Sequence, residues 1–224
     1  MHLRDNFNER VVVRQENHEW VDSPANGVKR MMLDRIGGEV ARATTIVRFA
    51  PNSRFDAHEH DGGEEFLVLD GTFSDEHNDY PKGTYVRNPI GTSHTPHIGE
   101  MGATILVKLH QFAADDVAHF HVDTTKMTFT AGKTPGVEEA LLHAHGSEKV
   151  RLVRLSQGGE MPVTGGENGA EIFVLEGAFS DAQGQYPTGT WLRIPGGSPQ
   201  NLHSDTGCLL WIKTGHLGEN LIRG

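Results

Sequence analysis

Short apolar stretches recur along this chain, and glycine or proline bounds nearly all of them. Residues 40–49 mix alternating and β-branched positions, 66–69 and 172–175 are compact apolar runs closed by glycine, and 103–109 and 208–213 read the same way. Alternation with period two, or a short run between turn formers, marks a strand, because successive strand side chains point to opposite faces. No segment sustains the 3.6-residue period of a long amphipathic helix, and only 113–120 offers one or two helical turns. Residues 11–13, three valines, read as an added strand that pairs with the other half of the chain or with a partner. The expected class is all-β, with turn signals about every eight to twelve residues, as in sandwiches, jelly rolls and barrels.

This pattern is written twice. Residues 65–97 align with 171–203 at an offset of 106, and 15 of the 33 positions are identical. The matches include Gly71/Gly177, Phe73-Ser74-Asp75/Phe179-Ser180-Asp181, Tyr80-Pro81/Tyr186-Pro187 and Arg87/Arg193. A repeat of this length is a whole domain rather than a solenoid unit. The expected organisation is an N-terminal extension over 1–26, one barrel over 27–122 and a second over 123–224.

Composition removes several classes of function. Lys and Arg number 20 against 30 Asp and Glu, a net charge of −10, so a direct nucleic-acid partner is not expected. The longest apolar runs are about five residues, far short of the ~20 that span a membrane. The first ten residues are charged and lack the apolar core of a targeting signal. A cytoplasmic protein is expected. Histidine is abundant, 14 residues, while Cys208 is the single cysteine. That excludes an internal disulfide and every multi-cysteine zinc site, so a metal would have to be held by His, Asp and Glu.

One constellation has that chemistry. His58-Glu59-His60 places two imidazoles on one face of a strand. Asp61-Gly62-Gly63 turns the chain and Glu64 follows, and His94 comes thirty residues later behind the turn Pro89-Ile90-Gly91. Three imidazoles and a carboxylate suffice to bind a divalent ion. In spacing and order this resembles the two cupin motifs: His58, His60, Glu64 and Gly71 fit the first, and Gly83, Pro89, Gly91 and His94 the second. Asn52 stands where the first motif opens with glycine, and Ile98 where the second closes with asparagine. The strings Gly62–Asp75 and Tyr80–Pro89, with 20–28 before them, are similar to the ChrR-type cupin-like domain. This domain is the C-terminal half of certain zinc-dependent anti-sigma factors and also occurs alone.

The resemblance implies a double cupin, two tandem jelly-roll barrels, with one divalent metal ion per chain at His58, His60, Glu64 and His94. Zinc is the expected metal, with iron or manganese as alternatives, since imidazole serves all three. Carrying the four ligands across by 106 gives Thr164, Gly166, Ala170 and Gln200, so the second barrel is expected to lack the metal. Positions common to both repeats cannot be there for the metal alone. Glu65/Glu171, Asp75/Asp181 and Arg87/Arg193 therefore read as ion pairs or turn caps. His119-Phe120-His121 reads as a linker and His143-Ala144-His145 as surface strand.

Two roles follow from the resemblance. One is a regulatory barrel that senses a small molecule or an oxidant, with a sigma factor or other regulator as partner. The sigma-gripping helical domain of the anti-sigma factors has no counterpart in the 26 leading residues, so that partnership is not expected to carry over. The other role is a mononuclear iron or manganese dioxygenase. Phe66, Val68, Tyr85 and Ile105 would then line a pocket for a small organic substrate. Either a monomer or a homodimer is compatible, because the duplication already supplies a barrel pair.

Overall fold

The computed structural model describes residues 1–38, 40–163 and 166–218. Strands dominate, and the helical segments among these residues are three 3-10 turns of three residues each. Residues 113–119 form no helix. The Asp116 backbone N–H closes one turn onto the Ala113 carbonyl at 3.0 Å. The Asp116 side chain then accepts from the Ala118 N–H at 3.3 Å and from Arg87 at 2.6 Å. Such a local side-chain acceptor competes with helix continuation.

The chain divides into two compact units, residues 1–5 with 19–126 and residues 6–18 with 127–224. In the first, one antiparallel sheet runs in the order His2–Leu3, Val28–Gly37, Ala41–Phe49, His97–Leu109, Glu64–Ser74, Thr84–Asn88, Phe120–Asp123. A separate two-stranded ribbon pairs His58–Glu59 with Ser93–His94. The second unit repeats the order with Val137–His145, Glu148–Leu155, Cys208–Thr214, Ala170–Asp181, Trp191–Ile194 and then Val11–Val13. Its ribbon pairs Gly159–Val163 with Gln200–Ser204. The segment ahead of the second repeat, Phe120–Asp123, thus completes the sheet of the first unit, and the segment ahead of the first repeat, Val11–Val13, completes the second.

Strand alternation sorts each sheet into two buried faces. In the first unit Phe66, Val68, Val86 and Ile105 join Phe73, Tyr80 and Ile98 in the barrel core. Tyr85 lies on the opposite face, opposite Leu67, and does not line the interior as expected from sequence. Its hydroxyl donates to the Glu65 carboxylate at 2.5 Å, in a layer where Arg87 bridges Glu65 at 2.9 Å and Asp116 at 2.6 Å. Burial and then the Glu65 charge raise the Tyr85 phenol well above its usual value, so it remains a donor. The Arg87 guanidinium also covers the Phe112 ring at 4.1 Å, as Arg193 covers Phe7 at 4.4 Å in the second unit. His143 is buried rather than on the surface.

The shared glycines Gly71 and Gly177 have a common cause. Both sit at positive φ, 68° and 71°, inside long strands. A Cβ there would fall on the carbonyl oxygen of Gly102 or Gly207 in the neighbouring strand. Both the conformation and the clearance demand glycine. Gly177→Ala should therefore cost the second unit at least about 1–3 kcal/mol in denaturant unfolding and leave metal content unchanged.

Candidate metal centre

Three residues within seven positions, His58, His60 and Glu64, meet a fourth from thirty positions further on, His94, in the first barrel. The ribbon sets His94 directly across from His58 in antiparallel register, so both side chains leave on one face. The ribbon continues through hydrogen bonds from the His60 N–H to the Thr92 carbonyl at 2.8 Å and from the Gly91 N–H to the His60 carbonyl at 3.1 Å. This places the third ring beside the other two, with ring centroids 4.6–5.4 Å apart. Nitrogens of the three rings lie within 4.8 Å of one another. Glu64 opens the strand Glu64–Ser74, and its Oε2 lies 3.4 Å from His60 Nε2 and 3.8 Å from His94 Nε2. Glu64 also accepts from the Asn88 amide at 3.1 Å. His60, Glu64 and His94 are buried, and His58 is exposed.

The outward nitrogens fix which atoms face inward. His58 Nδ1 lies 3.2 Å from the Asp56 carbonyl oxygen, which only accepts. His60 Nδ1 lies 2.9 Å from Thr92 Oγ1, whose proton is given to the Pro89 carbonyl at 2.7 Å, leaving the oxygen free to accept. His94 Nδ1 lies 3.3 Å from the Asp75 carboxylate. Each neutral ring therefore carries its hydrogen on Nδ1 and aims an Nε2 lone pair at the others. His94 Nε2 and His58 Nε2 are 3.1 Å apart, a repulsive separation for two lone pairs. His60 Nε2 is buried without a hydrogen-bond partner, and its approach to Glu64 sets an acceptor against an acceptor. A divalent ion relieves all of these at once, since donors about 2.1 Å from a common ion stand roughly 3.0–3.4 Å apart. The residues present fit such an ion.

A cavity of about 450 Å³ adjoins His94. Val86, Asn88 and Ser93 belong to its wall, together with Tyr80, His119 and His121. The sequence reading missed the last two as site residues. Their H-x-H spacing was visible, but the pairing of Phe120–Asp123 with Thr84–Asn88 that brings them here was not. Burial, and then the neighbouring Asp75 charge, push the Tyr80 phenol up to about 12, so it stays protonated at the wall.

The spacing of these ligands and the doubled barrel agree with one family model, the ChrR cupin-like domain, which matches residues 8–113 and again 117–218. The chain belongs to the ChrR cupin-like family. Its fold is that of a proposed dioxygenase from Nostoc punctiforme, with TM-score 0.79 and 13% identity over 94% of this chain and 84% of that one. It is similar as well to a nickel-bound pirin from Escherichia coli, with TM-score 0.68 and 13% identity over 92% and 98%. A variant of oxalate decarboxylase from Bacillus subtilis matches with TM-score 0.65 and 11% identity over 92% and 77%. No curated protein matches the sequence.

The second cupin of this ChrR-like chain has a different interior at the same place. Gln200 faces Val163 across the ribbon, where His94 faces His58 in the first. The residue opposite Gln200 is thus Val163 rather than the Thr164 given by a constant offset, and Thr164 lies outside the described residues. Ala170 opens the strand that Glu64 opens in the first cupin. Met161, Val163, Ala170 and Leu202 all belong to the apolar core there.

Burial holds the pKa of His60 below its ordinary 6.5, with Glu64 opposing and His94, His58 and His119 reinforcing the shift. A base with a lowered folded-state pKa takes up its proton more readily when unfolded. The metal-free protein should therefore lose stability as pH falls through 6.5 towards the folded-state value. Thermal unfolding followed across that range should show a smaller slope in His60→Gln than in the unaltered chain.

Proposed function

We propose that the first cupin holds one divalent metal ion through His58, His60, His94 and Glu64 and presents it to a small organic molecule, as a mononuclear metal enzyme of the dioxygenase kind. The observation that carries this reading is the access to the cluster: His58 is exposed, and the cavity begins at His94. A closed structural ion needs neither. Bound there, iron or manganese would supply Lewis acidity and open positions for substrate and dioxygen.

The chain's own residues do the rest. The Asp56 carbonyl, Thr92 and Asp75 hold the three rings in the ligating tautomer, and Asn88 holds the Glu64 carboxylate. The Phe73 ring, part of the barrel core, lies 5.8 Å from the His94 ring at a tilt of 40°. Val86 gives the cavity an apolar surface, and protonated Tyr80 offers no negative charge to it.

Family membership supports a second reading, a regulatory barrel in which zinc is bound by all four residues and a small molecule or oxidant is sensed. Metal analysis of protein purified without added metal, combined with X-ray absorption, separates the two. Iron or manganese with exchangeable waters supports the enzyme, and zinc with four protein donors supports the sensor. Under either reading His58→Ala or His94→Ala should remove about one metal equivalent per chain, and Gln200→Ala none.

A further inference from the structure

The cavity beside His94 has a wall that the metal ligands do not explain. His121 lies across from Val86, whose side chain is in the barrel core. Strand alternation therefore sends His121, and His119 two residues before it, towards the barrel mouth, while Phe120 falls opposite Arg87 in the outer layer. The His121 ring stands 5.4 Å from Tyr80. Asn88 and Ser93 add an amide and a hydroxyl to the same wall.

The donors the wall can offer a ligand come from His119, His121 and Ser93 and from the Asn88 amide, which also gives a hydrogen to Glu64. The wall's one carboxylate, Asp75, already accepts from the Tyr80 hydroxyl at 3.2 Å and from the backbone N–H groups of His77 and Asn78 at 2.8 and 2.9 Å. It also faces His94. A neutral imidazole donates one N–H, so the wall needs no protonated histidine to receive an anion. A divalent ion at the ligands next to it would add positive charge, offset by Glu64 and by the Asp75 carboxylate in the wall. No Lys or Arg is among the lining residues, which disfavours a doubly charged phosphate.

We propose that this cavity binds a small organic carboxylate, with His119 and His121 donating to its oxygens and the rest of the molecule directed towards the metal. The proposal rests on the metal reading above for that second end. It names the substrate or effector class as a small carboxylic acid and makes His119 and His121 the residues that select it.

The test is a titration of the full chain followed by the ring resonances of its histidines. The probes are acetate, lactate, succinate and benzoate, with lactamide and inorganic phosphate as controls. At least one acid should shift His119 and His121 in a saturable way, and lactamide should not. The double variant His119→Ala/His121→Ala, altered only at exposed side chains, should bind that acid about tenfold or more weakly with metal content unchanged. Four results would each overturn the proposal: no saturable shift with any of the acids, lactamide binding as well as lactate, phosphate binding tighter than every acid, or a double variant that binds like the unaltered chain. Metal content measured on the same samples judges the metal reading separately. A chain that holds no metal yet binds the acid through His119 and His121 would sink that reading and keep the carboxylate site.

Discussion

Three imidazole lone pairs aimed at one point, with a carboxylate beside them, cannot be satisfied by one another. A cation is the simplest thing that satisfies them. In the first cupin each ring is held to that orientation by a different acceptor: a main-chain carbonyl, a threonine hydroxyl and a buried aspartate. The ribbon that carries His58 and His94 is two residues long in each strand and stands apart from the main sheet. Alone, a ribbon so short is marginal. An ion shared between it and Glu64, on a central strand, would fasten it to the barrel, so that metal binding and local folding become one event.

The second cupin shows the alternative solution to the same mechanical problem. Its ribbon is five residues long in each strand and carries Met161, Val163 and Leu202 into the apolar core. Burying each such side chain is worth about 1.5–3 kcal/mol. Hydrophobic contact there does what the metal would do in the first cupin, and the described residues at that place hold no such polar cluster. Substituting one His in the first barrel would bring in none of that packing. It would leave the remaining lone pairs in place and the ribbon weakly attached.

Residues common to the two repeats form the scaffold, but Asp75 shows that scaffold and site overlap. In the second cupin its counterpart Asp181 accepts from Tyr186 at 2.8 Å and pairs with Arg10 at 2.6 Å. In the first, the same carboxylate accepts from Tyr80 and turns its remaining capacity to His94. Presence in both halves thus excludes a role confined to the metal without excluding a role in orienting one of the rings around it. The buried guanidiniums Arg87 and Arg193 follow the simpler pattern, each stacked on a phenylalanine in a layer away from the core.

What could be read from sequence was local. The spacing His58-Glu59-His60 with Glu64 just beyond a glycine turn encodes its own geometry, because strand periodicity alone puts both rings on one face. The doubled pattern likewise announced two β units. Tyr85 was misplaced because an aromatic in a strand fits either face of a sheet, and here a buried carboxylate on the outer face captured its hydroxyl. His119 and His121 were passed over because their position depends on a pairing between residues more than thirty apart, Phe120 with Arg87 and His121 with Val86. Each unit is finished by the segment that precedes the other repeat, so part of the first cupin's mouth is encoded where the linear pattern suggests a linker. Within a duplicated fold, the histidines that differ between copies identify the chemistry. The segments that join the copies then deserve the same scrutiny, since a strand pairing can carry them into the site.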